Sequence, residues 1–233
     1  MDGIGPSIKP GSDSSQTLED RVLFGSSDLF FFRALESWCD KWVRKGEISN
    51  EVVNCIINKE AKPGFAFGNV KTHKAGNPPR LITSCCGTAI ENLSGFTEFY
   101  LQPLARKLPA YIKDTTDLLN KIEEFNRNSP FPEGTLLVSW DVVSMFSNID
   151  NQLGLTAVKR ALNARENKLS STNCILQAYK FCLKSNHSVF RENFFLQVHG
   201  TAMGPKNACS YADLAMGEID FQAKFSGHIK PAL

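Results

Sequence analysis

The sequence predicts a mixed α+β fold, and three observations predict it. Apolar residues recur at three- and four-residue spacing in several long stretches, the period of amphipathic helices. Short β-branched and aromatic runs lie between Gly- and Pro-rich turns, as strands do. Helices and strands do not alternate strictly, so segregated α+β is favoured over a doubly wound sheet. The 233 residues are 42% hydrophobic and 21% charged, an ordinary folded composition with room for a sizeable core. That excludes disorder, collagen and coiled coil as descriptions of the whole chain. A formal net charge of +2 argues against a strongly basic coat protein and leaves room for a local basic groove.

Residues 1–27 read as a flexible N-terminal tail. Its first sixteen residues are rich in Gly, Ser and Pro and lack the apolar core of a signal peptide. From Asp28, the spacing of Phe31, Leu35, Trp38 and Trp42 predicts a helix ending before Gly46. Ser49 suits the cap of a second helix carrying Val52, Val53, Ile56 and Ile57, stopped by Pro63-Gly64. Phe65–Val70 and Arg80–Ser84 read as two strands of a hairpin with a turn-rich, basic tip. Thr88 and Glu91 have capping-box spacing and open a helix through Leu93, Leu101 and Leu104, kinked by Pro103. Asp114 suits the cap of the next helix, and Pro130, Pro132 and Gly134 break the chain.

Thr135–Asp141 is the clearest strand candidate. Helices near 152–165 and 172–185 follow, then a hairpin of 187–190 and 193–198, then a last helix from Lys206 towards Phe225. This divides the chain into a tail (1–27), a helical region with the basic hairpin (28–134) and a second α/β region (135–233). Seven cysteines, an odd number without a C-x-x-C pair, read as reduced small core hydrophobes and place the chain in an intracellular compartment. No apolar run reaches the length of a membrane span.

Three places carry chemistry. Asp141 closes the apolar run Leu-Leu-Val-Ser-Trp-Asp, where a carboxylate is costly to bury unless a cation pairs with it. A Mg²⁺ ion is one such partner; an Asp that merely caps a turn is the other reading. Between Ala61 and Ile90 stand Lys62, Lys71, Lys74 and Arg80 with no acidic residue, a field that suits a triphosphate or a nucleic-acid backbone, or simply a solvated turn. Gly200-Thr-Ala-Met-Gly204 lets the backbone approach a ligand closely, or starts a helix.

Taken in order, these segments resemble a known family. Gly68-Asn-Val-Lys71-Thr-His73-Lys74-Ala-Gly76-Asn77-Pro78-Pro-Arg80 is similar to the fingers motif of Penelope-like retroelement reverse transcriptases. Asp141-Val-Val-Ser144-Met-Phe146-Ser-Asn148-Ile149 resembles their first palm motif, and Gln197-Val-His-Gly200-Thr201-Ala-Met203-Gly204 the next. The likeness runs from about residue 28 to the end of the chain. It implies a right-hand polymerase fold with fingers and an incomplete palm and no thumb, and an RNA-directed DNA polymerase, a nucleotidyltransferase, of retrotransposon origin. It implies that Asp141 and the Val142 carbonyl hold Mg²⁺ and that Phe146 is an aromatic gate excluding a 2′-hydroxyl. Lys71, Lys74 and Arg80 become the triphosphate clamp. Met203 and Gly204 support the nascent base pair, with Gln197 and Gly200 in the same motif. His73 and Asn148 are given structural roles. The implied partners are an RNA or DNA template with its primer and deoxynucleoside triphosphates, with no membrane.

One part of the family pattern is missing. Its next motif is a hairpin bearing an aromatic residue and two adjacent aspartates, and no Asp-Asp occurs in the chain. Tyr211-Ala-Asp213 follows Gly204 too soon to supply it, and Asp213 and Asp220 are expected on the last helix. The sequence therefore reads as a fragment that stops about where that hairpin is due, holding two Mg²⁺ ions poorly and inactive alone. Two other readings stand beside it: a non-catalytic nucleic-acid-binding protein that keeps the basic fingers, and a remnant too incomplete to be stable.

Overall fold

The computed structural model describes residues 8–10, 18–128, 132–134, 136, 141–166 and 168–225. In chain order these form β1 (Ile8–Pro10), α1 (Leu18–Arg44), α2 (Asn50–Ile56), β2 (Gly64–Val70), β3 (Pro79–Ser84), α3 (Glu91–Ala105) and α4 (Thr115–Asn128). There follow α5 (Met145–Asn148), α6 (Asn151–Ala164), α7 (Thr172–Lys184), β4 (His187–Phe190), β5 (Asn193–Gln197) and α8 (Ala208–Phe225). The mixed α+β class is as the sequence predicts.

The strands form one mixed sheet in the order β1-β5-β4-β2-β3. Both hairpins are antiparallel, while β2 runs parallel to β4 through Gly64–Ser188 and Phe65–Val189. The β4–β5 turn is Arg191-Glu192, and both residues take positive φ (48° and 67°). A two-residue hairpin turn requires this, although neither residue type favours it.

Two apolar clusters hold the helices together. One joins Phe31, Leu35, Trp38 and Trp42 of α1 to Ile56, Ile90, Leu93 and the α7 residues Cys174, Ala178 and Cys182. The other joins Leu101 of α3, Val158 and Leu162 of α6, Ile175 and Tyr179 of α7, and Tyr211 and Leu214 of α8. Helix α7 thus buries two faces, and each cluster draws residues from both sides of position 135. Tyr179 and Tyr211 stack at 4.8 Å, and Tyr211 lies so close to Gly154 that a Cβ there would meet its ring.

The caps expected at Ser49 and Asp114 form, and Asp150 and Ser171 add two more. Ser49 accepts from the Val52 N–H, Asp114 from Asp117, Asp150 from Leu153 and Ser171 from Cys174. The Thr88–Glu91 box forms only in part. Glu91 reaches back to the Gly87 N–H at 2.7 Å, but the Thr88 hydroxyl donates to the Cys85 carbonyl, and Ile90 is the uncapped first position.

A further correction concerns the N-terminal segment. Helix α1 begins at Leu18 and β1 lies at Ile8–Pro10, so residues 1–27 are not wholly tail. The helix runs through Gly25-Ser26-Ser27. A single mid-helix Gly costs only about 1 kcal/mol. The strand expected at 135–141 falls, apart from Leu136 and Asp141, outside the described residues.

Of the seven cysteines, Cys39, Cys85, Cys174 and Cys182 are buried and Cys55, Cys86 and Cys209 are exposed; all are free thiols. The core role assigned to cysteine therefore holds for four of them. No described helix is long and apolar enough to cross a membrane.

Candidate nucleotide-binding cleft

Three segments far apart in sequence meet in one cleft of about 480 Å³. The β2–β3 hairpin contributes Lys71, His73, Lys74 and Arg80; the chain after Asp141 contributes Asp141 to Ser147; the loop after β5 contributes Gln197, Thr201 and Met203.

Local backbone chemistry sets each wall. The basic tip curls because the Lys71 N–H donates to Pro78, Lys74 to Lys71 and Asn77 to Lys74, at 3.0–3.1 Å. Gly76 and Asn77 supply the positive φ (75° and 46°) that such a curl needs. On the second wall Ser144 adopts a left-handed conformation, φ 50° and ψ 42°. This is unusual for a residue with a side chain and costs on the order of 1 kcal/mol. It reverses the chain just after Asp141 and starts α5, so that Asp141 and Phe146 line the same cleft. The Asn148 amide donates to the Val143 carbonyl at 3.1 Å and holds that reversal.

The glycine loop joins the other two walls. Thr201 N–H donates to the Phe146 carbonyl at 2.8 Å, and His199 Nδ1 lies 2.9 Å from the Ser147 carbonyl. Gly200, at φ 66°, sits where a Cβ would come within 2.8 Å of Ser147 Cα. Three residues further on, the Met203 carbonyl accepts from the Thr83 N–H of β3 at 2.8 Å. A Cβ on Gly204 would collide with the Thr83 carbonyl. Asn207 Nδ2 then donates to Thr97 Oγ1 at 2.7 Å and fixes the start of α8 against α3. The two glycines therefore exist for backbone contact, one with α5 and one with β3.

Of the residues singled out in the sequence, Lys71, Lys74, Arg80, Asp141, Val142, Phe146 and Met203 line the cleft. Gly204 does not; it stands behind the wall as a packing contact with β3. His73 does line it, although sequence reasoning gave it only a structural role. Asp141 and Val142 are exposed to solvent, so the Asp141 carboxylate is not the buried charge that its apolar neighbours suggested. Ser144 and Thr201 were missed; the first carries no sequence signal, since only its backbone angle is special.

The cleft holds three permanent cations, Lys71, Lys74 and Arg80, against one carboxylate, Asp141. That balance attracts a polyanion. No group of three or more His, Cys, Asp or Glu able to hold a metal occurs among the described residues. Asp141 alone cannot complete the six oxygens that Mg²⁺ prefers. Asp213 and Asp220 lie on α8, as expected, and burial pushes the Asp213 carboxyl above its usual range. Both residues line a second, mainly apolar cavity of about 670 Å³ between α6, α8 and residues 107–112. None of the predicted site residues is in it.

Comparison with known proteins adds no name to this geometry: no family model, no curated protein and no solved structure matches the chain.

Proposed function

We propose that the chain is a nucleotide-binding domain of reverse-transcriptase descent, with a fingers hairpin and the first palm elements of a right-hand polymerase. One observation carries this reading. Residues from three motifs more than fifty positions apart, Lys71 to Arg80, Asp141 to Phe146 and Gln197 to Met203, converge on one cleft with the charge of a triphosphate site. In this reading Lys71, Lys74 and Arg80 bind the phosphates as charge-assisted donors. Asp141 and the Val142 backbone share the nucleotide's Mg²⁺, and Phe146 sits under the sugar.

Catalysis of nucleotide transfer on two metals needs further carboxylates. Asp141 is the one carboxylate among the described residues lining the cleft. The chain by itself therefore binds but does not extend. Primer extension with Mg²⁺, a primed RNA template and deoxynucleotides tests this: no product is expected, and template-dependent extension would overturn it.

The excess of cations over carboxylate also favours a second reading, a non-catalytic nucleic-acid-binding protein derived from a retroelement. It expects salt-sensitive binding of primer–template duplex that weakens in Lys71→Ala and Arg80→Ala. Affinity indifferent to salt and to both substitutions would remove it.

A further inference from the structure

We propose that the cavity between α6, α8 and residues 107–112 is a binding site for a small organic cation, an amine carried on an apolar body. The cavity holds about 670 Å³, a size common among small-molecule sites, and none of its residues belongs to the nucleotide cleft. Leu108, Ile112, Ala161, Leu214 and Phe221 supply apolar wall. Glu218, almost wholly buried, finds its partners within the protein: its Oε1 lies 3.1 Å from Arg160 Nη2 and accepts from Gln222 Nε2 at 3.0 Å. The Arg160 guanidinium also stands over the Phe221 ring, 4.0 Å from its centroid. Both charges of that pair are thus in use.

Asp213 has no such partner. Its side chain lines the cavity half-buried, and among the described residues it makes no ion pair and accepts no side-chain hydrogen bond. Burial pushes its carboxyl up, and no neighbouring cation pulls it back. Glu98 stands within electrostatic reach and carries the same sign. Asp220, seven residues on and so on the same face of α8, also lines the cavity without an ion pair among the described residues. A half-buried carboxylate without a counter-charge is costly. The cations of the wall do not answer it. Arg165 donates to the Ser170 carbonyl and stands 5.6 Å from the Tyr100 ring centroid, with Nε and Nη1 covered by protein. Lys107 is exposed to solvent. A ligand therefore meets an apolar wall and unpaired carboxylates, and a protonated amine supplies the missing charge-assisted donor.

Ligand-observed NMR titration of 4-phenylbutylamine and 4-phenylbutyrate, one apolar body with opposite charges, into the full chain tests the proposal. The amine is expected to bind about tenfold or more tighter than the acid. Asp213→Asn, which keeps the shape and removes the charge, is expected to abolish that preference with thermal melting unchanged. Ala164→Trp, at an exposed position of the cavity wall, is expected to block both compounds. Failure of the wild type to bind the amine, equal or tighter binding of the acid, or a preference that survives Asp213→Asn would overturn the site. Self-association of the wild type that Ala164→Trp abolishes would give the cavity to a second copy instead.

Discussion

Gly200 and Gly204 show how much of the cleft rests on single atoms. Each fits a backbone contact that leaves no room for a Cβ, one against Ser147 and one against Thr83. Gly204→Ala is expected to lower stability by about 1–3 kcal/mol, the usual cost of overpacking, and to pull β3 away from Met203. A thermal melt equal to wild type would show that the loop is not held there. Phe146 supports a separate expectation. If its ring lies under the sugar, Phe146→Ala narrows the preference for deoxynucleotides over ribonucleotides, measured as the ratio of their dissociation constants. A ratio that stays at the wild-type value would remove the gate. The glycines were legible as places of close backbone approach, although Gly204 approaches β3 and not a ligand. Ser144 was not, because any small polar residue looks alike until its φ is known.

Among the elements, the caps at Ser49 and Asp114 were readable in the sequence, those at Asp150 and Ser171 emerge from the structure, and the burial of Asp141 was misread. Asp114, Asp150 and Ser171 each accept a backbone N–H at 2.8–3.2 Å, as short polar residues before apolar periodicity do. Asp150→Ala is expected to destabilise α6 by about 1 kcal/mol, read from chemical denaturation, with the midpoint shifted and the slope unchanged. No shift would mean that packing of Val158 and Leu162 alone sets the helix start. The Thr88–Glu91 pair shows the limit of such patterns. Spacing identified two polar partners, but the Cys85 carbonyl competed successfully for the threonine hydroxyl. Likewise the apolar letters around Asp141 suggested burial, whereas the turn at Ser144 leaves the carboxylate in solvent at the cleft wall. Sequence neighbours do not tell which way a turn faces.

For the whole molecule, the buried thiols set a pH dependence. Burial pushes Cys39 up to about 11 and Cys85, Cys174 and Cys182 up to about 12, from an ordinary value of 9.0. Desolvation raises Tyr179 and Tyr211 in the same direction. The folded state thus favours the neutral forms. Their stabilisation is complete below pH 9.0, where unfolded thiols are also neutral, and is lost as pH rises towards about 12. Melting temperature should therefore be flat near neutrality and fall above pH 9.0; a flat profile through that range would mean the thiols are not buried in solution. The fold class and the order of the chemical segments were readable from the chain alone. The mixed sheet was not, because the parallel pairing of β2 with β4 joins residues more than a hundred positions apart.

The central claim is that Lys71, Lys74, Arg80 and Asp141 act together on one nucleotide. Calorimetric titration of a deoxynucleoside triphosphate into the wild type, with and without Mg²⁺, and into Lys74→Ala, Arg80→Ala and Asp141→Ala tests it most directly. The account predicts one site, tighter with Mg²⁺, weakened about tenfold or more by loss of either phosphate-binding cation, and no longer sensitive to Mg²⁺ in Asp141→Ala. No saturable binding by the wild type, or equal binding by all three variants, would contradict it.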